Sequence, residues 1–168
     1  GIKVLGYIQT NSLYYETFLA EKPQSADWVQ RDKNNLFKTW GSSYYRWVPD
    51  KNNHEYRAYL KEAIRKGIQE IGLDGINFDN VGEGACYCEM CDSLFRRWLT
   101  RKYPDPVKMF GIDSFDHVIQ PPAPANKEQI HDPLSRAWIR WRCESLDEFV
   151  GEITEYARSL KPDVILLA

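Results

Sequence analysis

The sequence predicts an α/β fold built around parallel strands, and three observations carry that expectation. Short β-compatible apolar runs open the chain at residues 3–9, recur at 73–80 and close it at 164–168. Helical segments separate them, and the order strand, helix, strand, helices, strand calls for crossover connections, which join parallel strands. The middle strand is polar on one face and apolar on the other, as in a barrel whose apolar side meets helices and whose polar side points inward. With 168 residues, one domain over 1–168 is expected, because a chain of this length holds one core comfortably and two poorly.

Taken in order, Lys3-Val4-Leu5-Gly6-Tyr7-Ile8 reads as the first strand. Residues 10–54 are mostly polar and aromatic, with a turn at Lys33-Asn34-Asn35 that suggests a small hairpin between residues 28–30 and 36–38. From 55 to 71, Tyr56, Tyr59, Leu60, Ala63, Ile64, Gly67, Ile68 and Ile71 follow the three-and-four spacing of a helix with one buried face. Gly72 is a helix stop. In the strand that follows, alternation puts Gly75, Asn77 and Asp79 on one face and Ile76 and Phe78 on the other. A second helix is expected from Glu89 to about Tyr103, ended by Pro104 and Pro106. Residues 105–134 contain Pro121-Pro122-Ala123-Pro124 and no sustained period, which reads as an inserted surface excursion. A long helix then runs from about Ser135 to Leu160 and delivers the chain to the last strand.

Composition removes several function classes. The formal net charge is −2 and the basic residues are scattered among carboxylates, so a nucleic-acid partner is not expected. No apolar run is long enough to cross a bilayer, and no targeting motif is present. The chain opens without an initiator Met and its last strand stops without a following element, so the parent protein is expected to continue. Aromatic residues make up 14% of the chain, with six Trp and ten Tyr, more than a core of this size needs. Surplus aromatics form flat, exposed platforms, and Phe37, Trp40, Tyr44, Tyr45 and Trp47 crowd one loop. The alternative is a satellite apolar cluster beneath that loop.

The strongest local signal is Asp79-Asn80-Val81-Gly82-Glu83-Gly84-Ala85-Cys86-Tyr87-Cys88-Glu89-Met90-Cys91, followed by Phe95-Arg96-Arg97-Trp98-Leu99 and Lys102-Tyr103. Over residues 55–103 the sequence resembles glycoside hydrolase family 42 and related glycosidase barrels, in which a strand ending Asp-Asn precedes a C-x-C-x-x-C cluster. The resemblance implies a partial (β/α)8 TIM-type barrel of about three strands with flanking helices and a long insertion. Its active site would lie at the C-terminal strand ends. It also implies carboxylate-based hydrolysis of O-glycosidic bonds in a carbohydrate substrate. The position at which that family carries its acid/base Glu is Val81 here, which cannot exchange a proton.

Glycoside cleavage uses two carboxyl groups, about 5–5.5 Å apart for retention and about 6.5–9.5 Å for inversion. Asp79 at the strand end is the first candidate, and Glu83, on a Gly-flanked loop, is the second. Asn77 and Asn80, with Trp40, Tyr45 and Trp47, are the candidate substrate-binding residues, since hydroxyl groups need hydrogen-bond partners and sugar rings stack on aromatics. Asn11 could serve the same end, while Asp74, at the strand start, reads as structural. Cys86, Cys88 and Cys91 are close enough to share one ion, which points to a structural zinc site. The resemblance implies a fourth Cys from an upstream loop, and none exists upstream; Cys143, His54, His117 and His131 are the other candidates. The alternative is reduced or partly oxidised thiols holding a loop.

Three functions compete at this level: a glycoside hydrolase, a non-catalytic sugar-binding or structural piece of such a barrel, and a zinc-dependent interaction module. A sheet of about three strands would have open edges, to be covered by a partner chain, an oligomer or residues outside this chain.

Overall fold

The structure, a computed structural model, describes residues 1–82, 84–125 and 130–168. Its centre is a parallel sheet of three strands, β1 (Leu5–Gln9), β5 (Gly75–Asp79) and β6 (Ile165–Leu167), with β5 in the middle. The register pairs Tyr7 with Asn77, Gln9 with Asp79, and Asn77 with Leu167. Ile76 and Phe78 are buried against helices, while Asn77 and Asp79 point to the half-open face, as strand parity predicts.

Gly75 holds this sheet together through what it lacks. A Cβ there would stand 2.1 Å from the Ile165 carbonyl oxygen and 2.6 Å from Leu5 Cδ2, so neither neighbouring strand could keep its place. Gly75→Ala is expected to destabilise the fold by about 1–3 kcal/mol, the range for forcing extra volume into a packed site. Urea unfolding of the variant beside the unaltered protein checks this.

Helix α2 (His54–Arg65) begins at Asn53, whose side chain accepts from the amides of Glu55 at 2.9 Å and Tyr56 at 3.1 Å. It widens into a π turn over Lys66–Ile71 and ends at Gly72, whose φ of 80° is the left-handed conformation that glycine adopts without strain. Helix α3 (Glu89–Lys102) follows β5, and the 28-residue helix α5 (Pro133–Leu160), about 42 Å long at 1.5 Å per residue, leads to β6. α5 spans two cores. Its C-terminal half, with Phe149, Ile153 and Ala157, joins Tyr56, Leu60, Ile64, Ile76 and Phe78 under the sheet. Its N-terminal half, with Trp138 and Trp141, packs on Phe95, Trp98, Leu99, Cys86 and Cys91.

The small hairpin lies where the sequence suggests, with the Asp32 amide donating to the Leu36 carbonyl at 2.9 Å and the Lys38 amide to the Gln30 carbonyl at 3.0 Å, and a second hairpin follows it. β3 (Thr39–Trp40) and β4 (Ser43–Trp47) pair antiparallel, and β2 (Leu13–Tyr14) adds to the other edge of β4. The turn at residues 32–36 is built by Asp32, whose carboxylate accepts from the amides of Asn34 and Leu36, both at 2.8 Å, with a single bridge between Arg31 and Phe37. A short helix α1 (Tyr15–Glu21) precedes it. The 105–134 excursion is not all surface. It contains a one-turn helix α4 (Pro106–Phe110) and buries Phe115 and Gln120. The Gln120 amide donates to the Cys86 carbonyl at 2.8 Å and accepts from Trp138 Nε1 at 2.8 Å, which ties the excursion to α5.

Candidate active site and metal centre

The C-terminal end of β5 presents Asp79. Its Oδ2 accepts from the Tyr7 hydroxyl, from Gln9 Nε2 at 3.0 Å and from the Asn80 amide. Tyr7 and Gln9 reach it because they share a sheet face with Asp79 on the adjoining strand. Among the described residues no hydrogen bond is made to Oδ1, so one carboxylate oxygen is anchored and the other is not. Donation to Asp79 holds the Tyr7 proton on more tightly than in an ordinary tyrosine. Asn80 turns the chain at φ 54°, and Thr10 locks that turn by donating its hydroxyl to the carbonyls of Asp79 and Asn80, both at 3.0 Å.

The other sequence candidates divide. Asn80 joins Asp79, and Asn77 lies on the same face one turn of the pleat below. Tyr45 stacks on Tyr14 at 6.2 Å, and the Trp40 and Tyr14 rings both lie against the Arg46 guanidinium, at 5.8 and 5.4 Å. Trp47 instead packs on Phe37 at 4.6 Å, on Tyr15 at 5.2 Å and against the core. The crowded loop is thus both an exposed platform and a satellite cluster. Val81 is half-buried against the core, and Glu83 lies outside the described residues. None of the three side chains that bond Asp79 carries a second carboxyl group. Asn11 accepts from Lys51 at 3.0 Å. Asp74 is engaged at the far end of β5 by Lys3 at 2.9 Å and by the Val4 amide, which hold its carboxyl down at about 2.

Asp79 is not among the residues lining a cavity of about 720 Å³ between α2, α3 and α5, where Asn52, Arg57, Trp98 and Glu144 stand. Its own surroundings are an open sheet face, with Tyr7 64% and Tyr14 55% exposed.

The cysteines form a second cluster. Cys86, Cys88 and Cys91 are free thiols, and their sulfurs lie within 4.8 Å of one another and of an Asp50 carboxylate oxygen, a set that could hold a metal ion. Asp50 is the fourth member that the sequence did not indicate; it stands in the loop after β4, upstream of the three cysteines. Cys91 Sγ donates to Asp50 Oδ2 at 3.0 Å, and the Arg31 amide donates to Cys86 Sγ at 3.3 Å. The Cys88 sulfur also caps α3 by accepting from the Cys91 amide at 3.4 Å. Thiol donation from Cys86, then from Cys91, holds Cys88 far below the ordinary thiol range, while burial raises Asp50. Next to Asp50, Lys51 is fully buried and donates to the Gly82 carbonyl at 2.8 Å, so the cluster's loop also supports the loop after Asp79.

No protein-family model matches the chain. The β-galactosidase BglY of Alicyclobacillus acidocaldarius is 24% identical over 128 residues, 65% of this chain and 18% of that protein. The β-galactosidase Pbg of Clostridium perfringens is 24% identical over 99 residues, 52% of this chain and 14% of that one. The chain therefore spans less than a fifth of the length of these curated relatives. The solved β-galactosidase from Bacillus circulans sp. alkalophilus superposes with a TM-score of 0.65 at 19% identity, covering 89% of this chain and 24% of that one. The α-L-fucosidase isoenzyme 2 of Paenibacillus thiaminolyticus gives 0.55 at 24% identity, covering 99% of this chain and 20% of its own. The resemblance read from residues 55–103 is borne out by the two β-galactosidase relatives. The two solved structures share the mixed α/β fold with its parallel sheet. Among the described residues no helix is long and apolar enough to cross a membrane.

Proposed function

We propose that residues 1–168 form a single unit, one piece of a TIM-type (β/α)8 barrel, which contributes Asp79 to the active site of an O-glycoside hydrolase. The observation that carries the reading is the Asp79 carboxylate itself: at the C-terminal end of the middle strand, with Oδ2 fixed by three donors and no hydrogen bond to Oδ1 among the described residues. Barrel chemistry gathers at that end of the strands, and relatives and structural neighbours with glycosidase names support the class. Tyr7, Gln9 and Asn80 orient Asp79 toward the sugar, and Trp40 and Tyr45 offer stacking faces. The second carboxyl comes from Glu83 or from strands outside this chain, because Val81 cannot move a proton. Where neither supplies it, the same face serves as a non-catalytic sugar-binding surface, the reading that Val81 favours. Hydrolysis of a panel of aryl glycosides by the full-length protein tests this. Release of the aryl group that depends on Asp79 supports the hydrolase, and sugar binding without turnover supports the second reading.

The metal of the second cluster is zinc on this proposal. Three thiolates and one carboxylate suit its borderline-soft character and tetrahedral preference, and the set leaves no open position for a substrate. Zinc bound there would supply cross-linking of the Asp50 loop, the Cys86–Cys91 turn and the start of α3. Because its ligands bind deprotonated, zinc affinity is expected to fall as pH drops from 8 to 5, with protons released on binding. Zinc titrations of the chelator-treated protein in buffers of different ionisation heat measure that release directly.

A further inference from the structure

Arg46 differs from Arg57 and Arg65, two other arginines shielded from solvent, in its partners. Arg57 is neutralised by Glu152 at 2.6 Å and Glu148 at 3.5 Å, and Arg65 by Glu62 and Glu70, each at 2.8 Å. Arg46 has no carboxylate partner among the described residues, although it is half-buried. It is nonetheless held firmly. Its Nε donates to Ser12 Oγ at 2.7 Å, and the guanidinium lies near the Tyr14 ring at 5.4 Å and the Trp40 ring at 5.8 Å. Nε is thereby used, and the terminal Nη atoms make no hydrogen bond among the described residues.

Its anchor Ser12 follows closely on β1, the strand that supplies two of the Asp79 donors. Ser12 and Tyr14 continue directly from β1, and Thr10 between them bonds the Asp79 and Asn80 carbonyls. The positive charge is close enough to Tyr7, the donor to Asp79, to act on its hydroxyl. Exposed Tyr44 and Tyr45 extend the Tyr14 ring into a platform around it. A half-buried, pre-oriented guanidinium fork matches the geometry of a carboxylate, which it binds through two parallel hydrogen bonds.

We propose that Arg46 is the specificity-determining residue of an anionic subsite, and that the carbohydrate taken at Asp79 carries a carboxylate, as a uronic acid does. This rests on the reading of the Asp79 face as a sugar site and adds the chemical class of the sugar. Trp40 and Tyr14 keep the fork in place while the ring of the same sugar reaches Asp79.

The test uses the full-length protein and matched monosaccharide probes, glucose against glucuronic acid and galactose against galacturonic acid, with binding followed by ligand-observed NMR. The acidic member of at least one pair is expected to bind about 10- to 100-fold more tightly, the size of a charge-assisted pair expressed as affinity. Arg46→Met, which keeps the alkyl packing, should erase that preference while neutral-sugar binding and the melting temperature hold. Arg46→Lys should restore part of it. Equal binding of acidic and neutral members, or a preference that survives Arg46→Met, overturns the anionic subsite while leaving the sugar site in place. Absence of binding by every probe, together with no turnover on the aryl-glycoside panel, overturns the sugar site itself.

Discussion

Asp79→Asn in the full-length protein is expected to lower glycoside turnover by roughly three orders of magnitude or more, with little change in melting temperature. The substitution removes the charge and keeps the shape. Tyr7 and Gln9 would still donate to the side-chain oxygen, and the Thr10 contacts to the Asp79 and Asn80 carbonyls are made to backbone and stay. Stopped or steady-state assays on the best aryl glycoside, paired with a thermal melt, separate chemistry from folding. A folded variant with unchanged turnover would make Asp79 a structural residue.

The second large effect concerns the metal centre. Cys91→Ser and Asp50→Ala are each expected to abolish stoichiometric zinc and to lower stability. The loss is about 4 kcal/mol where free zinc exceeds its dissociation constant a thousandfold. Both ligands are buried, and Cys91 sits where α3 meets α5, so the loss should also loosen the packing around Phe95 and Trp138. Turnover should fall only as far as the loop after Asp79 loosens, since Lys51 links that loop to the Asp50 segment through Gly82. Elemental analysis beside urea unfolding decides it; wild-type protein purified without chelators and free of metal would remove zinc from the account.

What could be read from the sequence follows a physical division. The elements with a long period, α2, α3 and α5, and the strands bounded by turn residues, lie within a few residues of where the pattern puts them. Local information sufficed there because burial of one face dictates the spacing. β2 and β3, two residues each, and α4, five residues, bury too little to leave a period, whereas the hairpin around the Asp32 turn was legible from its turn residues. Parity placed Asp79 and Asn77 on the sheet face away from the apolar Ile76 and Phe78, and the same alternation applied to β1 would have selected Tyr7 and Gln9. Asp50 and Arg46 left no such signal. Both come from the β4 region and reach their clusters only through tertiary folding, which no local spacing records.

The central claim is that carbohydrate binds on the Asp79 face of the parallel sheet. The most direct measurement is a crystal structure of the full-length Asp79→Asn variant with an uncleaved oligosaccharide that the wild-type protein turns over. A sugar ring is expected at the C-terminal end of β5, its anomeric carbon facing the side chain of residue 79 and its ring against Trp40 or Tyr45. A sugar seated elsewhere, with the face of Tyr7, Gln9 and residue 79 open to solvent, would contradict it.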